Sequence, residues 1–312
     1  MVIDRLSGLS EVEFDQVAGY VDIVEVGWGL PLVWKEIPLA SRIKHYKRYG
    51  LRVSMSGTLI EHSVFRGSLE ATLKKAHRLG FDTVEISDGI IELSAEEKSK
   101  IAKEVRSHGF DILIAVGKKD PLAQLSPAET VSQIEYAISL DPLKVVLEGR
   151  ESGRGVGIYD ENGGIKWNLL RSITSRIDQK SIIFEAPNET QQASLILELG
   201  PEVNLGNVSL SSIAALEAER QGLRFDTFGI DRPHREISGG PSVKFVQFVI
   251  RNYQPLDQQQ IAALTRLPLR TVQKAIEQLL KAKVITEHPN FEDRRSKIYR
   301  SASASSPPVT SG

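Results

Sequence analysis

The sequence predicts an α/β chain, a (β/α)8 barrel followed by a small, mostly helical C-terminal domain. Apolar, mostly β-branched runs recur eight times at a spacing of about 30 residues. Between them lie amphipathic stretches, at 69–79, 95–108, 126–139 and 191–199, in which apolar residues return at three and four positions. Strand and helix alternating in this way is the pattern of a parallel sheet closed on itself. Charge divides the chain a second way: residues 242–300 carry 11 Lys+Arg against 5 Asp+Glu, or +6, and the remainder carries 28 against 35, or −7. An acidic barrel at 1–229 is therefore expected to precede a basic domain at 242–300. Residues 230–241, rich in Gly and Pro without an apolar period, are expected to link them, and the polar, Pro-containing 301–312 to form a disordered tail.

Taken in order, the strands are expected at 2–4, 21–26, 51–55, 83–86, 112–116, 145–148, 182–185 and 203–205. Val145, Val146 and Leu147 are typical, a short run apolar on both faces that stops at a carboxylate, Glu148. In such a barrel the chemistry collects at the carboxyl ends of the strands. Those ends read Asp4, Glu25, Thr58 with Glu61, Glu85 with Asp88, Lys118 with Lys119, Glu148 with Arg150, Glu185, and Asn204 with Asn207. One carboxylate there is most often a helix cap; several around one mouth are harder to explain as capping. Glu85, Glu148 and Glu185 offer the hard oxygen ligands that magnesium takes, and Lys118, Arg150 and Arg154 balance an anionic substrate. After Glu148, Gly149, Gly153, Gly155 and Gly157 interleave with Arg150 and Arg154, which reads as an anion pocket where backbone amides approach a phosphate. The alternative is a flexible loop with solvated arginines.

Composition removes other classes. With 41% hydrophobic and 25% charged residues and no apolar run of about 20, the chain is expected to be soluble, and the N-terminus lacks a secretory pattern, which points to the cytoplasm. No cysteine is present, so disulfides, thiolate zinc sites and a cysteine nucleophile are excluded. The six histidines lack ligand spacing, so any metal must sit on oxygen.

Beyond the linker, helices are expected at 243–252, at 260–265 after an Asp257 cap, and at 269–282, with Leu269, Val272, Ile276, Leu279 and Leu280 inward. A short strand at 284–287, a turn at 288–290 and the basic stretch around Arg294, Arg295 and Lys297 follow. This order resembles a winged helix-turn-helix, closest to MarR-type regulators. That resemblance implies double-stranded DNA as partner, with Arg270, Thr271, Gln273 and Lys274 at the major groove and Arg294, Arg295 and Lys297 at phosphates or the minor groove. Winged-helix readers commonly dimerise, so a homo-oligomer is expected. The alternative is a domain for protein contact.

The barrel motifs resemble a known family as well. Asp-Ile-Val-Glu-Val-Gly-Trp-Gly (22–29), Ser-Gly-Thr-Leu-Ile-Glu (56–61), Val-Glu-Ile-Ser-Asp-Gly (84–89), Val-Gly-Lys-Lys (116–119), Glu-Gly-Arg-Glu-Ser-Gly (148–153), Ile-Phe-Glu-Ala-Pro (183–187) and Val-Asn-Leu-Gly-Asn (203–207) are similar to the phosphosulfolactate synthases of coenzyme M biosynthesis. The resemblance implies a TIM barrel and magnesium-dependent addition of sulfite to phosphoenolpyruvate. It also implies a metal set of Glu85, Asp88, Glu148 and Glu185, and substrate contacts from Arg150, Arg154, Gly153, Gly155, Asn204 and Asn207. Catalytic positions fall on Lys118, Glu25 and Arg5, where Glu25 and Arg5 replace lysines of the family pattern and Ala115 replaces a glutamate. A glutamate in place of a lysine reverses the charge offered to sulfite or phosphate. Three functions are therefore weighed: a lyase of this type, a transcription regulator whose degenerate barrel senses a phosphorylated metabolite, or a structural protein with neither activity.

Overall fold

Short apolar strands alternating with amphipathic helices build one parallel sheet from β1 (Val2–Asp4), β2 (Ile23–Val26), β3 (Arg52–Met55), β4 (Thr83–Ile86), β5 (Asp111–Val116), β6 (Lys144–Leu147), β7 (Ile182–Glu185), β8 (Leu205–Gly206) and β9 (Val208–Ser209). Their order is β8-β7-β6-β5-β4-β3-β2-β1-β9. β8 pairs with β7 and β9 with β1, and only Asn207 separates the two pieces. They are halves of one strand, so the sheet closes into an eight-stranded cylinder of the TIM-barrel type. This strand lies further along the chain than the expected 203–205. Asn207 breaks it by adopting a left-handed conformation, φ 54.

The computed structural model describes residues 1–5, 9–228, 241–253, 255–282, 284–290 and 296–301, and it divides into two units, Met1–Ile230 and Asp231–Gly312. Of the expected linker at 230–241, all but Pro241, which begins α11, lies outside the described residues, as does most of the tail. In the first unit the helices are α1 (Glu11–Val17), α2 (Leu30–Val33), α3 (Glu36–Lys47), α4 (Gly57–Phe65), α5 (Leu69–Leu79), α6 (Ala95–Ser107), α7 (Pro127–Ser139), α8 (Trp167–Thr174), α9 (Glu189–Leu199) and α10 (Ile213–Arg220). Local chemistry sets several ends. Ser94 with Glu97 and Ser126 with Glu129 form reciprocal caps that start α6 and α7, and Gly80, at φ 94, ends α5.

Strand alternation sorts the side chains into two layers. Val24, Val53, Val84, Ile112, Ile114, Val145, Leu147, Ile182 and Phe184 join the main core with residues of the helices, including Leu73, Val105 and Ile134. Ile23, Leu113, Ala115, Val146 and Ile183 form a separate cluster inside the cylinder. The inner cluster is an apolar floor. Two positions further along the same strands come Glu25, Glu148 and Glu185, so the alternation that fills the interior also aims the carboxylates inward.

The second unit is built from α11 (Pro241–Tyr253), β10 (Leu256–Asp257), α12 (Gln258–Thr265), α13 (Leu269–Lys281), β11 (Ile285–Pro289) and β12 (Lys297–Ser301). Its antiparallel sheet has the order β10-β12-β11, and β10 is an addition to the expected elements. Val246, Ile250, Ile261, Val272, Ile276, Leu279, Ile285 and Tyr299 make its core. Leu280 packs at the edge of that core, but Leu269, expected inward, is exposed because it is the first residue of α13 and precedes the apolar stripe. Among the described residues no helix is long and apolar enough to cross a membrane.

Asp4 has the opposite strand parity to Arg5 and so faces the helices. It is fully buried, and it accepts from Arg42 Nη2 at 3.1 Å and from the Tyr46 hydroxyl at 2.8 Å, tying β1 to α3. The Asp4→Ala variant should therefore lose roughly 2–4 kcal/mol in urea denaturation, below the full range for a buried pair because Arg42 keeps some access to solvent. A loss under about 1 kcal/mol would show that the pair does not fasten α3 to the barrel.

Candidate active site at the barrel mouth

Four glutamates from four strand ends converge above the apolar floor. Glu25, Glu85, Glu148 and Glu185 are 4%, 6%, 6% and 8% exposed. Each is tied to the scaffold: Glu25 takes the Ser56 hydroxyl, Glu85 Oε1 accepts from the Gly57 amide at 3.3 Å, Glu148 Oε1 from the Arg150 amide at 2.9 Å, and Glu185 Oε2 from the Gly149 amide at 2.7 Å. A side chain at Gly57 would enter this layer, since its Cβ would lie 2.7 Å from Glu85 Oε1. Into the same layer reaches Lys119, whose Nζ donates to Thr58 Oγ1 at 2.9 Å and lies 3.6 Å from Glu148 Oε2.

The electrostatics follow from burial and crowding. Burial pushes Glu85 well above the usual carboxylate range, and the charges of Glu25 and Glu148 push it further, against the pull of Lys119 and the Gly57 amide. Burial does the same to Glu185, reinforced by Glu148, Glu25 and Glu85. Glu25 is raised by burial although Ser56 and Lys119 draw it down. Burial alone would lower the Lys119 ammonium, but Glu148, Glu85, Glu61 and Glu185 outweigh it, so Lys119 holds its proton firmly.

A second cationic corner adjoins this layer. Arg5 donates from Nη2 to Asn207 Oδ1 at 2.6 Å, and its guanidinium carbon lies 5.3 Å from the centroid of the Trp28 ring. Its Nε is buried without a partner among the described residues. A buried donor left unmatched is costly and suits a ligand acceptor.

Several expected residues take other places. Lys118 points away from the glutamates: its Nζ donates to the Asp88 carbonyl at 2.9 Å and lies 3.4 Å from Asp88 Oδ2, while Lys98 lies 2.8 Å from the same Oδ2. Asp88 is thus paired with two lysines instead of joining Glu85, Glu148 and Glu185. Lys119 is the inward lysine, placed past the end of β5 and past Gly117 at φ 130, with its Nζ on Thr58 and near Glu148. Asn204 sits at the opposite end of the barrel, its amide donating to the carbonyls of Lys180 and Ile182 at the start of β7.

Four amides of the glycine loop are already engaged within the protein. The Gly149 and Arg150 amides bind Glu185 and Glu148, that of Gly155 binds the Asp160 carbonyl at 2.8 Å, and that of Gly157 binds Gln124 Oε1 at 2.8 Å. At Gly153 a Cβ would lie 2.5 Å from Gln191 Oε1, so this glycine serves packing. Arg154 is exposed, and Arg150 donates to the Lys119 carbonyl at 3.2 Å. Glu61 is fully engaged, by the Ser87 hydroxyl and the amides of Ile90 and Ile91. Trp28, Ser56 and Glu151 escaped the sequence reading because nothing in the chain pattern marks a contact made between distant loops.

Among the described residues no three carboxylates or imidazoles are drawn together closely enough to hold a metal ion. In donor type and charge, however, Glu85, Glu148 and Glu185 suit a divalent ion, because Lys119 and Arg5 offset the buried negative layer in part. In the second unit, Arg270, Gln273, Lys274 and Lys297 are exposed and Thr271 is half-buried; Gln273 bonds Gln258 and Lys297 pairs with Glu287 at 2.7 Å. Arg294 and Arg295 lie outside the described residues.

The raised carboxyls have a consequence for stability. A glutamate whose pKa rises on folding contributes fully below its unfolded value of 4.5 and loses that contribution as pH climbs through the folded value. In Glu185→Gln the amide oxygen can still accept from Gly149 while the repulsion is gone. In chelator-containing buffer this variant should be more stable than the parent by roughly 1–3 kcal/mol at neutral pH, with the difference vanishing toward acid. A pH-independent difference in denaturation would contradict the arrangement.

Comparison with known proteins finds relatives of the first unit. Residues 1–226 match the (2R)-phospho-3-sulfolactate synthase (ComA) family. A phosphosulfolactate synthase of Methanocaldococcus jannaschii is 38% identical over 212 residues, 67% of this chain and 84% of that protein. One from Methanothermobacter thermautotrophicus is 36% identical, covering 73% of this chain and 90% of the relative, and one from Bacillus subtilis is 35% identical, covering 69% and 86%. With a closed parallel barrel and relatives named for one lyase-type reaction, the chain belongs to the phosphosulfolactate synthase family.

Proposed function

We propose that the barrel mouth binds phosphoenolpyruvate, or a related phosphorylated three-carbon acid, and adds sulfite or a similar nucleophile to it. The observation that carries this reading is the single Lys119 ammonium held within four buried glutamates at the carboxyl end of the barrel. In the reaction the sulfur lone pair forms a bond to the methylene carbon, the π pair moves toward the substrate carboxylate as an enolate, and the neighbouring carbon takes a proton. Lys119 is the donor. The glutamates that make it hold its proton are the same groups that a cation engages, so their neutralisation makes the ammonium a better acid. Magnesium on Glu85, Glu148 and Glu185 would supply compensation for the enolate charge. Arg5, with Nε unmatched, and Asn207 receive the phosphate.

Glu25 departs from this scheme, since a carboxylate beside Arg5 opposes a dianion. Loss of phosphoenolpyruvate should depend on both sulfite and magnesium, and Lys119→Met should lower kcat by about 10²–10⁴-fold with a smaller change in KM. Glu25→Lys should raise sulfite-dependent turnover. Retained ligand binding with no turnover in the parent chain would replace catalysis by sensing.

The second unit favours a further reading, that of a winged helix-turn-helix of MarR-like pattern contacting duplex DNA. Asp257 caps α12 by accepting from the Gln260 amide at 2.8 Å, and α13 presents Arg270, Gln273 and Lys274 outward from a buried stripe. Duplex affinity of the full chain should fall steeply with salt, and Arg270→Ala/Lys274→Ala should weaken binding and reduce the slope of log affinity against log salt by roughly 2. Absence of binding at low salt would assign this unit to protein contact.

A further inference from the structure

Trp28 and Glu151 stand on opposite sides of the barrel. Trp28 follows β2 and Glu151 follows β6, four strands apart in an eight-stranded cylinder. Their loops nevertheless meet, the indole Nε1–H donating to Glu151 Oε1 at 3.0 Å. Trp28 has φ 53, a backbone state that a bulky residue adopts only when its surroundings impose it. Gly27 before it has no room for a side chain, since a Cβ would lie 2.9 Å from Ile3 Cδ1, whereas Gly29 after it meets nothing within 4 Å. The Trp28 ring covers Arg5, which is bonded to Asn207 and has an unmatched Nε. Burial would raise the Glu151 carboxyl, yet the Trp28 hydrogen bond, its own amide, and the charges of Arg5 and Lys119 hold it below the usual range. Glu151 thus carries its charge while facing both cations of the mouth.

We propose that Trp28 and Glu151 form a strap across the barrel mouth that holds Arg5 against Asn207 when closed and opens to admit an anionic ligand. Glu151 is on this view a positioning residue, and an incoming anion competes with it for the field of Arg5 and Lys119. The inference rests on the reading of the mouth as an anion site, so its test has one readout that needs no ligand. Acrylamide quenching of Trp28 emission, assigned by subtracting the Trp28→Phe protein, should increase roughly twofold in Glu151→Ala, while Glu151→Gln, which keeps an acceptor for the indole, stays near the parent. In stopped-flow tryptophan emission with phosphoenolpyruvate or inorganic phosphate, the parent's observed rate should level off as ligand rises, and Glu151→Ala should lift that plateau at least about threefold. Equal quenching in parent and Glu151→Ala, or a Glu151→Gln protein that behaves like Glu151→Ala, would overturn the strap. An unchanged plateau with raised quenching would overturn its role in admission. If neither anion binds the parent, the anion reading falls and admission with it, while quenching still decides whether the strap exists.

Discussion

Too many carboxylates for the cations that face them: that imbalance, buried inside a cylinder of strands, is the constraint on which the rest of the barrel depends. Glu25, Glu85, Glu148 and Glu185 share one layer with Lys119, and Arg5 stands at its edge. Low dielectric makes every charge there expensive, so two of the acids are driven well toward their neutral form and the lysine is driven toward its charged form. Groups held away from their ordinary equilibria in a concave site are the usual signature of chemistry rather than of packing. The surrounding sequence serves this arrangement: an apolar floor below it, amides of Gly57, Gly149 and Arg150 turned to its carboxylates, and glycine where a side chain would intrude.

Much of this was legible in the chain. The eight apolar runs fell on or beside eight strands, and Glu25, Glu85, Glu148 and Glu185 from their ends gathered at one rim, because period-two alternation is a strictly local property that survives folding. The same alternation separates Arg5 from Asp4, whereas Lys118 and Lys119 lie past the end of β5 and past Gly117 at φ 130, where the strand period no longer applies. Asn204 was different. The final strand begins only at Leu205, so Asn204 lies at the base and Asn207 further along, toward the mouth.

The glycine loop shows a different limit. Gly155 and Gly157 do occupy left-handed conformations, as a loop of this composition suggests, but their amides are spent on Asp160 and Gln124. Composition reports what backbone geometry is permitted; it does not report which acceptor lies nearby. Trp28 with Glu151 is the clearest case, since 123 residues separate the partners and no short-range pattern joins them. In the second unit, the apolar stripe of α13 and the Asp257 cap were readable, whereas β10, a two-residue strand, is too short to leave a period.

The divided eighth strand carries a consequence of its own. Closure of the cylinder relies on two very short pieces, β8 toward β7 and β9 toward β1, hinged on the residue whose side chain receives Arg5. Sealing the seam and positioning Arg5 therefore depend on the same residue. A molecule bound between Arg5 and Asn207 would act as a rivet through the joint, so occupancy and resistance to heat are coupled at the point where the wall is thinnest.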